Sequence, residues 1–187
     1  MSVTAIDALL KRRTVRNYLP DPIPKEQLEK IMEAAKASPT AGNFQGHDYI
    51  FVKNKEKLDE LEKALLEDLP LEMKQHVEER RIKHGVKNSL TCDAPCLVLI
   101  VKNERSSEDW CQIDAGIASM SIMIAAQNFN LGSMCIGAIA HKTSSEKCEK
   151  VFGLKKGSLL LGVAIGKPSP NVTFPPKEIV TKISVIE

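Results

Sequence analysis

Three guanidinium groups and a hydroxyl crowd one short stretch of this chain: Arg12, Arg13, Thr14 and Arg16 in the run KRRTVR. Guanidinium forks match the geometry of phosphate oxygens, and a hydroxyl or backbone N–H nearby completes such a cradle, so the chemistry implied is capture of an anion. Taken alone, cations at the end of a helix also suit its macrodipole and simply face water. A second group lies in Ser38-Pro39-Thr40-Ala41-Gly42-Asn43-Phe44-Gln45, where the amides of Asn43 and Gln45 can donate and accept at a helix-to-strand junction. The third is an exposed backbone turn reached through a short strand-like segment, Met134-Cys135-Ile136-Gly137. No Ser/His/Asp set, no framed pair of carboxylates, no P-loop and no GxGxxG accompanies them. What the chain offers is therefore a holder for a preformed cofactor that brings its own chemistry.

Composition narrows the class. The 187 residues are enough for one well-buried domain, and 43% apolar content belongs to a globular chain. A formal charge of +2, with no aromatics interleaved among the basic residues, argues against nucleic acid as a partner. Five cysteines (Cys92, Cys96, Cys111, Cys135, Cys148) lack any CxxC pair, and His47, His76, His84 and His141 lack metal-ligand spacing. Neither a disulfide framework nor a zinc site is expected, and no metal. The opening MSVTAIDALLKRR has no long apolar segment with a small-residue cleavage site, so the reducing cytoplasm is the expected compartment.

The elements that must position these groups follow from periodicity. Thr4 and Asp7 form a capping-box pattern ahead of Ile6, Leu9 and Leu10, predicting a short helix that delivers the arginines. Pro24 followed by Leu28, Ile31, Met32 and Ala35 predicts a helix to about Ala37, and 48–52 reads as a strand. Two charged amphipathic helices over 55–69 and 72–86 meet at Pro70; their charges, with His76 and His84, read as solvated faces, and 65–87 could cover a site as a lid. The runs 96–101 and 159–165 are continuously apolar, as expected of strands covered on both faces. Thr143 with Glu146 repeats the capping pattern for a helix to about Phe152.

The stretch 111–137, CQIDAGIASMSIMIAAQNFNLGSMCIG, is the centre of the pattern. From Asp114 onward apolar or small residues fall on every side, so the helix must be enclosed, yet it is too short and too interrupted for a bilayer. No membrane association is expected. Gly116, Ala118 and Ser119 permit close approach of a second backbone, which suits packing against a symmetry mate. A C-terminal arm, 170–187, ends in alternating residues over 178–185, a strand pattern that can pair with another subunit.

Taken in order, RRTVR, PTAGNFQ, DAGIASMSIMIAAQNFNLGSMCIG and LGVAIGKPSP with the later PPK resemble the motifs of the nitroreductase family of FMN-dependent NAD(P)H oxidoreductases. The resemblance implies an α+β fold in which a central mixed sheet is flanked by helices. It also implies a homodimer with FMN at the subunit interface and exchange of the C-terminal strand. Arg12, Arg13, Thr14 and Arg16, helped by Lys177, would then hold the phosphate and ribityl end. Pro39, Thr40, Ala41, Asn43 and Gln45 would approach the flavin from the partner, and Cys135, Ile136, Gly137 and Ala138 would line the ring, with the Gly137 N–H assisting at N5. NADH or NADPH would donate hydride in a ping-pong cycle to a nitroaromatic, quinone or flavin.

The chain departs from the family's usual residues at Cys135 (aromatic or proline), Asn130 (glycine), Lys167 (tyrosine) and Lys177 (arginine). Two other readings stay open: a specialised member with a dedicated substrate, dehalogenase-like or enoyl-reductase-like, and a protein that binds FMN without turnover.

Overall fold

The computed structural model describes residues 4–67, 69–141 and 145–186. Its centre is a four-stranded sheet in the order β1 (His47–Val52), β2 (Cys96–Lys102), β4 (Leu159–Gly166), β3 (Gly132–Ile136). All pairings between these strands are antiparallel, and a parallel component enters as an isolated bridge between Thr14 and Ser133. The class is α+β, as expected.

β2 explains its own apolar run. Cys96, Val98 and Ile100 face one core with α2 (Lys25–Lys36) and α5 (Cys111–Asn128). Leu97, Leu99 and Val101 face the other, under α3 (Lys55–Glu67) and α6 (Ser145–Val151). Side chains alternate across a strand, so a strand with helices on both sides must be apolar at every position. Leu97, Val98, Leu99 and Ile100 are all fully buried, each contributing about 1.5–3 kcal/mol relative to exposure. Burial also makes Cys92 and Cys96 poor thiolates, raised to about 11 and about 12.

The remaining helices form where their patterns put them. α1 (Ala5–Lys11) begins at Thr4, whose hydroxyl accepts from the Asp7 N–H at 3.1 Å. α4 (Leu71–His84) follows Pro70 and stops at Gly85, in the left-handed region. The Thr143–Glu146 cap lies outside the described residues. The 178–185 segment forms no strand among the described residues; Ile179, Val180, Ile183 and Val185 stand exposed along it. Such a strand pattern needs a neighbouring edge, and none of the described residues pairs with it. No helix among the described residues is long and apolar enough to cross a membrane.

Enclosure of α5 is only partial. Asp114, Ala115, Ala118, Ser119, Ile122, Met123 and Ala126 are buried, whereas Ile113, Gly116, Ile117 and Met120 form an exposed stripe at helical spacing. The expectation of a helix with no solvent-facing side is thus corrected: among the described residues nothing covers this apolar stripe.

The helix ends in paired 6→1 and 5→2 bonds, Leu131 N–H to Ala126 O and Asn130 N–H to Gln127 O, each 3.0 Å. Asn130 takes φ 56° there, the left-handed conformation that asparagine tolerates best after glycine. Asn130→Gly should therefore hold or raise the midpoint of urea unfolding, while Asn130→Ala should lower stability by about 1 kcal/mol.

Candidate functional site

The arginine segment lies along the free edge of β3. Val15 N–H donates to Ser133 O at 3.1 Å, Leu19 N–H to Lys167 O at 2.9 Å and Ser169 N–H to Asn17 O at 3.0 Å, so 14–19 is pinned to the ends of β3 and β4. This approach is close enough to exclude a side chain at Gly132, where a Cβ would meet Val15 Cγ2 at 2.5 Å. Val15 and Tyr18 turn inward, and Arg13, Thr14, Arg16 and Asn17 are left lining a cavity of 1390 Å³.

The opposite wall of that cavity comes from α4 and from 171–175: Glu79, Arg80, Lys83 and His84 on the helix, Phe174 and Pro175 on the arm. Asn17 Nδ2 donates to His84 O at 2.7 Å, meeting a carbonyl that the helix end leaves unpaired. Arg13 donates to Pro175 O, and its guanidinium carbon lies 5.4 Å from the centroid of the Phe174 ring. Burial first, then Arg16, Lys83 and Arg80, hold His84 below its ordinary range, which marks a locally positive field.

A second cavity of 610 Å³ continues the first, sharing His76 and Arg80 with it. One side is apolar, with Leu65, Leu66, Leu69 and Met73, and the other is the end of β3 with Cys135, Ile136, Gly137 and Ala138. Cys135 Sγ sits 3.7 Å from Met123 Sδ. At Gly137 a Cβ would meet nothing within 4 Å, so the open space there is the cavity itself. Among the described residues none accepts from the Gly137 N–H.

Tyr18 supplies an orphan. Its hydroxyl is buried without a hydrogen-bond partner among the described residues, and burial, aided by Cys92 and Cys135 against Arg16, keeps it a neutral donor with a raised pKa.

The sequence-derived residues divide accordingly. Arg13, Thr14 and Arg16 meet at one end, and Cys135, Ile136, Gly137 and Ala138 at the other. Arg12, half-buried at the end of α1, lines neither cavity, and neither does exposed Lys177. Pro39, Thr40, Ala41, Asn43 and Gln45 are apart from both; Thr40 and Gln45 border a separate hollow of 610 Å³ with His47, Tyr49 and Arg105.

Sequence reading missed what holds that loop. Ala41 N–H donates to both carboxylate oxygens of buried Asp114, at 3.1 and 3.2 Å. Thr40 Oγ1 accepts from the Gln45 N–H at 3.0 Å. Gly42, Asn43 and Gln45 all take φ above 50°, so the loop is wound tightly and kept so by these bonds. The signal for Asp114 was present: a lone carboxylate in the first turn of an otherwise apolar helix. Arg80 and Lys83 were hidden among solvated charges, although Met73, His76, Arg80 and Lys83 recur at helical spacing.

The nitroreductase family profile matches residues 9–167. The chain belongs to the nitroreductase family. Curated relatives of this nitroreductase-family chain include a protein named FMN reductase [NAD(P)H] from Bacillus subtilis, 27% identical over 92% of this chain and 69% of that one. Another, named a putative NADH dehydrogenase/NAD(P)H nitroreductase, is from Methanothermobacter thermautotrophicus, 24% identical over 89% and 78%. Among solved structures, a nitroreductase with bound FMN from Bacteroides fragilis superposes with a TM-score of 0.79 at 21% identity, over 98% of each chain.

Asp114→Ala leaves the Ala41 N–H without its acceptor and should cost about 1–3 kcal/mol. Its effect should concentrate in the loop, so amide hydrogen exchange should accelerate at 40–45 before it does in β2.

Proposed function

We propose that this chain is an FMN-dependent NAD(P)H oxidoreductase that delivers electrons to a small organic acceptor. The observation that carries the reading is the pair of joined cavities, cationic at Arg13 and Arg16 and open at Gly137. A phosphate-bearing ring system fits both ends: the arginines make no ion pair among the described residues, and a glycine leaves room for a flat ring. The names of two relatives, FMN reductase [NAD(P)H] and NADPH-flavin oxidoreductase, support the same chemistry.

Arg13, Thr14 and Arg16 would hold the phosphate; Arg12 and Lys177, which line neither cavity, would add charge only from farther away. Cys135, Ile136 and Ala138 would line the ring, and the Gly137 N–H is the donor this chain offers to its redox-active edge. Bound FMN would supply the redox chemistry, a ping-pong transfer of hydride equivalents from NAD(P)H to the acceptor, while this chain's residues hold and orient it. A backbone donor serves that chemistry without titrating near neutral pH. The leucines of 65–69, with Met73, form an apolar wall suited to flat acceptors such as nitroaromatics, quinones or flavins, and 65–87 acts as the lid.

The working unit is a homodimer of this single domain. The stripe of Ile113, Ile117 and Met120 and the open groove at Gly116 give α5 an apolar face that a second copy would cover. Pro39, Thr40, Ala41, Asn43 and Gln45 would then reach the partner's flavin, held in place through Asp114. The 170–187 arm would pair with the partner. A reducing cytoplasm suits its free cysteines.

Arg13→Ala combined with Arg16→Ala should weaken FMN binding about 100-fold or more, since each charge-assisted contact is among the stronger hydrogen bonds. The variant should leave gel filtration colourless with unchanged far-ultraviolet circular dichroism. Anaerobic NADH or NADPH should bleach the wild-type flavin band; bound flavin that never bleaches would instead identify a binding protein without turnover.

A further inference from the structure

The cavity wall carries more positive charge than one phosphate needs. Arg13, Arg16, Arg80 and Lys83 line it, with Glu79 as the carboxylate among its lining residues. Among the described residues, none of the four cations has an ion-pair partner, whereas Arg81, their neighbour on α4, is bound by Glu62 at 3.3 Å and Glu78 at 2.8 Å. Glu79 itself lies 3.5 Å from His76 Nδ1. A phosphate monoester brings a charge of about −1.5 to −2 at neutral pH, so an FMN phosphate held by Arg13 and Arg16 leaves the cations of α4 unanswered.

Their placement says what kind of molecule would answer them. Met73, His76, Arg80 and Lys83 follow one another at spacings of three and four, so a single face of α4 runs from the ring-end cavity to the phosphate-end cavity. Met73 and Val77 supply the apolar end of that face, and Lys83 and His84 the basic end. From Met73 to Lys83 the helix rises about 15 Å. A ligand that reacts beside Gly137 and also touches Lys83 must therefore be long, with an anionic group far from its reacting ring. Nitroaromatics and simple quinones are too short.

We infer that Arg80 and Lys83 select for a second phosphate monoester, the 2′-phosphate of NADPH, and so make NADPH the preferred donor over NADH. This rests on the reading of the site as FMN-dependent. Arginine supplies a fork and lysine a mobile point charge, a pairing that can engage a terminal phosphate while the rest of the dinucleotide lies along α4. His84 fits the same picture: burial first, and then Arg16, Lys83 and Arg80 around it, lower its pKa. The 5′-phosphate of a second FMN, arriving as acceptor, has the same chemistry and is the rival occupant.

The test measures kcat/KM for NADPH and NADH with an uncharged quinone as acceptor, on FMN-loaded wild type, Lys83→Gln and Arg80→Gln. Wild type should favour NADPH by about tenfold or more, and each variant should bring the ratio toward one with its flavin absorbance retained. Calorimetric titration with adenosine 2′,5′-bisphosphate and with 5′-AMP gives a readout that does not depend on turnover. The bisphosphate should bind wild type about tenfold more tightly, and that advantage should vanish in Lys83→Gln. A wild-type ratio near one, or a ratio that neither variant moves, overturns the inference. Discrimination of FMN from riboflavin as acceptor, without discrimination between donors, overturns it in favour of an acceptor site. Protein that takes up no flavin refutes the FMN reading instead, and the nucleotide titration still decides whether α4 recognises the 2′-phosphate.

Discussion

One backbone hydrogen bond, from Val15 N–H to Ser133 O, sets the dimensions of the site. It clamps the arginine segment to the same strand whose far end presents Cys135 and Gly137, so the two ends of the proposed flavin site are tied together by a few residues of β3. At about 3.3 Å per residue, Ser133 to Gly137 covers about 13 Å. That spacing is rigid because β3 pairs with β4 over five positions and β4 in turn with β2, which is buried on both faces. Gly132 is the condition for the clamp, since any side chain there would drive Val15 away. The cationic end is thus placed by close packing in the sheet, and the charges follow the backbone.

A second anchoring interaction organises the opposite side. Asp114 stands at the start of α5 and accepts twice from Ala41, fixing a left-handed loop to the helix whose other face is exposed. A carboxylate in the first helical turn also complements the helix dipole. The loop is thereby tethered to the helix that carries the exposed stripe. Tyr49 records the same environment: burial first, then the Asp114 carboxylate, raise its pKa.

Much of the fold could be read from the chain because the constraints were local or periodic. The unbroken runs at 96–101 and 159–165 are β2 and β4, and Thr4 caps α1 through Asp7 as its spacing implies. Arg13, Thr14 and Arg16 line one cavity, whereas Arg12, which the sequence groups with them, does not. What escaped was relational. Arg80 and Lys83 look like any surface charges until α4 is placed against the 13–17 segment, and Asp114 has no visible role until the loop folds back on it. The tail at 178–185 has the alternation of a strand, but hydrogen bonding needs an edge, and none of the described residues offers it one. Likewise α5 reads as wholly enclosed because its residues are apolar or small on every side, yet Ile113, Gly116, Ile117 and Met120 stand exposed on this chain.

Electron density for FMN in crystals of the flavin-loaded protein tests the central placement most directly. The phosphate should lie within hydrogen-bond distance of Arg13 and Arg16, with the ring against Gly137 along the edge of β3. Flavin found instead in the hollow bordered by Thr40, Gln45 and Tyr49 of its own chain, with the arginine cavity filled by solvent, would contradict it.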